Sequence, residues 1–83
     1  MSQVKLQIDY FAVLREQAGK DRELLRTSGA TTPAEVYALL SRQYGFDLGQ
    51  ARLKVAVNDE FTDWSRQVRD GDRLVFIPPV AGG

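Results

Sequence analysis

The 83-residue chain contains no cysteine and no histidine. Their absence removes thiolate nucleophiles, disulfides, cysteine-based zinc clusters and the usual general base near neutral pH. Much enzyme chemistry is thereby closed to its side chains, leaving carboxylates, hydroxyls, lysines and the terminal carboxylate. Nor does one sign of charge prevail, since 11 basic residues balance 11 acidic ones for a formal net charge of +0. No broad field follows from that balance, so neither nucleic acid nor a membrane surface is expected as a partner. No apolar run approaches the roughly 20 residues needed to cross a bilayer, and the opening "MSQVKLQIDY" lacks the long apolar segment of a signal peptide. The expected compartment is the cytoplasm. Glycine-rich loops ahead of a helix are missing too: Gly19 and Gly71 stand alone, so no phosphate cradle is expected.

What is present fits one small fold. A chain of this length buries only roughly 60–65% of the surface that its unfolded form exposes, which allows a single domain over residues 1–83 and no second one. Its hydrophobic fraction, 43%, is that of a globular rather than a disordered chain.

Between Val4 and Phe11 apolar residues alternate. Val4, Leu6, Ile8 and Tyr10 share one face, and Lys5, Gln7, Asp9 and Phe11 the other. This predicts a strand with one buried face and one aromatic, Phe11, on the polar side. "AVLREQAGKD" reads as a helical turn ended by Gly19, and "RELLRTS" as a second strand able to pair with the first. "TTPAEVYALLSRQYG" has full helix punctuation: Thr32 as N-cap, Pro33 at the first helical position, Glu35 closing a capping box and Gly45 as the stop. Val36, Leu39, Leu40 and Tyr44 form its expected apolar stripe. "LKVAVN" gives a third strand, "NDE" a turn, and "EFTDWSRQVRDGDR" short or irregular structure closed by the Asp70-Gly71-Asp72 turn. "RLVFI" is the last strand, stopped by Pro78.

One amphipathic helix has only this sheet on which to bury its stripe. The expected class is therefore α+β, a β-grasp or ubiquitin-like mixed sheet packed on one main helix. In that arrangement the first and last strands lie side by side in parallel. Their outer faces then bring Phe11 and Ile77 together, with Val75 and Ala56 adding to an apolar patch of the kind that marks a partner site.

Other candidates read more plainly. The carboxylate pairs Asp59/Glu60 and Asp70/Asp72 sit beside glycine or asparagine and are read as turn formers rather than acid/base or metal groups. Trp64 is expected to cover an edge of the core, with a ligand-stacking role as the alternative. The tail, residues 78–83, is more informative. Pro78 and Pro79 stiffen the exit from the sheet, and Val80-Ala81-Gly82-Gly83 adds a reach of at most about 13–14 Å, enough to enter a partner's pocket. Without Cβ atoms, Gly82 and Gly83 pass a narrow channel and leave the final carbonyl open to close approach.

"YFAVLRE" (Tyr10 to Glu16), "AVN" (Ala56 to Asn58), "DGD" (Asp70 to Asp72) and "PPVAGG" stand in an order and at a spacing that resemble the MoaD family. These are the sulfur carriers that form the small subunit of molybdopterin synthase and are related to the thiamine carrier ThiS and, more distantly, to ubiquitin. The resemblance implies that Gly83 is the working residue. A ubiquitin-activating-type adenylyltransferase uses ATP and Mg²⁺ to adenylate its carboxylate, and a sulfurtransferase system then supplies sulfur to make a thiocarboxylate. Val80, Ala81 and Gly82 provide access. Phe11, Val75, Ile77, Pro78 and Pro79 fall at the partner interface, where many relatives carry an aromatic in place of Ile77.

The same resemblance implies no cofactor on this chain and no catalysis without the large subunit. It also implies a heterotetramer of two large and two small subunits, with sulfur delivered to cyclic pyranopterin monophosphate. Arg15 matches the family motif or serves as a surface ion pair. Three alternatives stay open: a carrier for thiamine or another pathway, a ubiquitin-like modifier joined to lysines, and a purely structural interaction module.

Overall fold

The alternation at the start of the chain becomes strand β1, Gln3–Tyr10, which buries Leu6, Ile8 and Tyr10 on one face. Backbone and side chains are described over residues 3–28 and 31–79 in this computed structural model. Phe11 then leaves the strand as N-cap of helix α1, Ala12–Ala18, and Gly19 closes that helix at φ 76 with its N–H bonded to the Arg15 carbonyl. The closure needs a left-handed residue, which glycine supplies without the Cβ penalty. Strand β2, Arg22–Ser28, returns antiparallel to β1, pairing Leu6 with Leu25 and Asp9 with Arg22.

Helix α2, Pro33–Tyr44, starts and stops where its punctuation demands. The Thr32 hydroxyl accepts from the Glu35 N–H at 3.3 Å, the Glu35 carboxylate accepts from the Thr32 N–H at 3.1 Å, and Gly45 ends the helix at φ 71. The two bonds satisfy donors that a helix start otherwise leaves open. A 3-10 turn at Gln50–Arg52 leads to β3, Lys54–Val57, then β4, Glu60–Thr62, and β5, Arg73–Ile77. The five strands run in the order β2-β1-β5-β3-β4, with β1 and β5 parallel and the other neighbours antiparallel.

This mixed sheet with α2 packed on one face is the β-grasp expected. The core holds Leu6, Ile8, Tyr10, Leu14, Val36, Leu40, Val57, Leu74 and Phe76. One detail of the helix differs from expectation: Leu39 is 42% exposed, and Tyr37 occupies the buried stripe with Val36 and Leu40. The Tyr37 ring packs against Phe46, Trp64 and Phe76, and its hydroxyl donates to the Leu48 carbonyl at 2.6 Å. An apolar ring with its polar end satisfied is as buriable as leucine. Trp64 is half-buried and stacked on Phe76 at 5.8 Å between ring centres, so it covers a core edge. No helix among the described residues is long and apolar enough to cross a membrane.

Candidate functional site

α2 covers one face of the sheet, and strand register decides what the other face presents. Across the sheet the pairs Arg22–Asp9, Asp9–Val75, Val75–Ala56 and Ala56–Phe61 place five residues in one row. A neighbouring row runs Leu24, Gln7, Arg73. Phe11 follows the Tyr10–Phe76 pair and so stands beside Ile77, which is itself paired with Lys54. Phe11, Ala56, Val75 and Ile77, together with Phe61, Asp9, Asp59 and Arg73, line a shallow hollow of about 230 Å³.

The hollow is apolar at its rim and in part of its floor. Phe11 is 49% exposed and Phe61 69%, whereas Val75 and Ala56 are nearly covered by their neighbours. Ile77 and Pro78 are half-buried, and Pro79 is exposed. Two large exposed rings and an aliphatic side chain around one depression form a contiguous apolar surface, the kind a partner covers. A second concavity, about 340 Å³, lies where β5 ends, between Ala51–Lys54 and Ile77–Pro79. It continues the same surface to the last described residue of the exit. Val80, Ala81, Gly82 and Gly83 lie outside the described residues.

Register brings Phe11, Val75, Ile77 and Ala56 together. Phe61, a large component of the rim, escapes a reading of the sequence because a three-residue strand shows no period. Only its pairing with Ala56 assigns it to this face. Leu24, 66% exposed on β2, is a second apolar residue on the same side.

Charge in the hollow is ordered. Asp9, on the outer face, is only 8% exposed. One oxygen receives the Gln7 amide at 3.2 Å with Arg22 at 4.0 Å, and the other receives Arg73 at 3.4 Å. A buried carboxylate is tolerated when its acceptor capacity is used in this way. Arg73 also reaches Asp59 in an ion pair with its second terminal nitrogen. The backbone around this pair is fixed: Asn58 and Asp59 form the β3–β4 turn at φ 53 and 72. The Asn58 side chain accepts from the Arg73 N–H at 3.0 Å and donates to Asp72 at 2.9 Å.

Arg15 lies off this face, with its Nε 3.8 Å from Asp21 in an exposed ion pair. Among the described residues no group of three or more carboxylates is placed to hold a metal. Among the described residues the site is thus an apolar hollow with three charged groups, adjoining a second concavity at the end of β5.

The ThiS family model matches residues 8–83. The chain is 34% identical over 80 residues to the molybdopterin synthase sulfur carrier subunit of Haemophilus influenzae, covering 94% of this chain and 99% of that one. A solution structure of a Haloferax volcanii protein superposes with a TM-score of 0.81 at 25% identity, covering 98% and 88% of the two chains. In the complex of subunits 1 and 2 of molybdopterin-converting factor from Helicobacter pylori, one chain has the same fold, with a TM-score of 0.69 at 21% identity over 96% and 100%.

Proposed function

The chain belongs to the ThiS family, and from that premise we propose that it is the sulfur carrier subunit of molybdopterin synthase. The observation that carries the reading is its full-length similarity to a molybdopterin synthase sulfur carrier subunit. The continuous surface from Phe61 and Phe11 through Ile77 to Pro79 supports it, because that surface joins a docking hollow to the exit toward Gly83. A large-subunit partner is the occupant assigned to the hollow in this reading, and the pairing of subunits 1 and 2 in the H. pylori complex supports the existence of such a partner.

The chemistry is then carried by the backbone terminus. A carboxylate is a poor electrophile. Attack of the Gly83 carboxylate on the α-phosphorus of ATP, held with Mg²⁺ by an adenylyltransferase, expels pyrophosphate and gives an acyl adenylate. A persulfide sulfur displaces AMP from the carbonyl carbon, and a thiol of the donor system cleaves the resulting S–S bond to leave a thiocarboxylate. This soft nucleophile enters the large subunit and passes its sulfur to cyclic pyranopterin monophosphate, whereupon water restores the carboxylate. The dithiolene needs two sulfurs, so a charged carrier replaces a spent one. Gly82 and Gly83 give close access, Val80 and Ala81 reach, and Pro78-Pro79 direction. All of these steps take place in the cytoplasm.

Removing Gly82-Gly83 tests the division of labour. The truncated chain is expected to bind the large subunit within about threefold of the full chain, because the docking face is intact, and to support no molybdopterin formation. Phe61→Asp is expected to keep the fold and lose binding. Molybdopterin formation by the truncated chain, with purified large subunit and precursor, would overturn the proposal.

A further inference from the structure

We propose that Asp59, held by Arg73 at the edge of the apolar hollow, selects the large subunit by meeting a basic side chain there. The inference rests on the docking face proposed above and adds the chemistry of the residue that must face it.

Three charged groups occupy the hollow: Asp9, Arg73 and Asp59. Asp9 is spent, since both of its oxygens face donors and its side chain is 11% exposed. Asp59 differs. Its contact to Arg73 uses one carboxylate oxygen, and its side chain is 77% exposed. Among the described residues no other ion pair or side-chain hydrogen bond engages that carboxylate. Arg22 and Arg73 together balance Asp9 and Asp59, and what stays open to a partner is the second carboxylate oxygen of the accessible Asp59.

The backbone adds a second observation. Asp59 stands at φ 72 in a two-residue hairpin turn, where glycine is the least strained residue. An aspartate here accepts left-handed backbone strain while lining the hollow that Phe61 also lines. Asn58 braces the turn through Arg73 and Asp72, so the charge is oriented before a partner arrives.

Covering Phe61, Ile77 and Phe11 with an apolar surface strips water from Asp59 as well. A partner that brings an arginine or lysine to that point recovers the lost solvation, whereas one that brings an acidic or apolar group does not. The charge therefore discriminates among partners that share an apolar patch.

The test measures binding of the full chain to the purified large subunit at low and high salt, together with melting temperature. Asp59→Gly removes the carboxylate and relieves the left-handed strain. It is expected to leave the melting temperature equal or higher, weaken binding about tenfold at low salt and flatten the salt dependence. Asp59→Lys is expected to weaken binding by about a hundredfold or more, since it sets like charges together. Phe61→Asp serves as the control for the face itself. Binding of Asp59→Gly within about twofold of the parent, with an unchanged salt slope, overturns the role of Asp59. If Phe61→Asp is then still defective, the docking face stands without it. If Phe61→Asp also binds normally, both readings fall.

Discussion

Glu23 is the residue on which the inner polar chemistry of the fold converges. Its carboxylate accepts from the hydroxyls of Tyr10 and of Tyr44, the latter at 2.7 Å, and Lys20 stands 3.5 Å away. These links tie β1, β2 and the end of α2 together. Burial pushes the Glu23 carboxyl up, but the two phenols and Lys20 outweigh it, so the group sits below its ordinary value of 4.5. Burial, followed by the bond to Glu23, pushes the Tyr10 phenol well above its ordinary 10.0.

The signs are opposite in consequence. A depressed carboxyl adds stability that is present above about pH 4.5 and lost as pH falls through the folded-state value; a raised phenol adds stability that is present below about pH 10 and lost as pH rises beyond it. Glu23→Gln keeps the shape but loses charge-assisted acceptance, and is expected to cost about 1–3 kcal/mol at neutral pH. Melting curves followed by circular dichroism across the acid range should show the gap between parent and variant closing as pH drops. A gap that stays constant into acid would show that the Glu23 charge is not what stabilises the cluster.

At the scale of elements, α2 separates burial from mere hydrophobicity. Leu40 is fully buried in the core and Leu39, one position earlier, is 42% exposed. Leu40→Ala is expected to cost about 2–5 kcal/mol through lost contacts and a cavity, and Leu39→Ala under about 0.5 kcal/mol, as read by urea unfolding. Equal losses would mean that α2 is rotated on the sheet.

The same pair shows what the sequence makes legible. Local signals are written in full: the Thr32–Glu35 capping box, the Gly19 and Gly45 stops, and the alternation of β1 all lead to the elements observed. Choices between neighbouring helix positions are not, because an apolar stripe about 100° wide admits either Leu39 or Tyr37. Long-range pairing settles that choice, and likewise the covering of Asp9, whose Arg22 and Arg73 neighbours come from strands on either side. Phe61 belongs with these cases. Within the candidate site, Phe11, Val75 and Ile77 follow from β1 and β5 being parallel neighbours, while the charged half of the hollow depends on a hairpin turn whose side-chain contacts no periodicity encodes.

At the scale of the whole molecule, the fold divides its work between two faces and one exit. α2 and the aromatic cluster stabilise one side of the sheet, the hollow between Phe11 and Phe61 is left on the other, and β5 runs along that hollow to Pro78-Pro79. A chain without cysteine or histidine suits the proposed function, in which partners supply the reactive side chains and this chain contributes a terminus. The proposal accordingly stands or falls on the Gly83 carboxylate. The most direct measurement is intact-mass spectrometry of the full chain after incubation with the adenylyltransferase, ATP, Mg²⁺ and a sulfur donor. The account predicts the exchange of one oxygen for one sulfur, located at Gly83 by fragmentation and lost when ATP is omitted. An unchanged mass, under conditions that convert an established carrier, would contradict it.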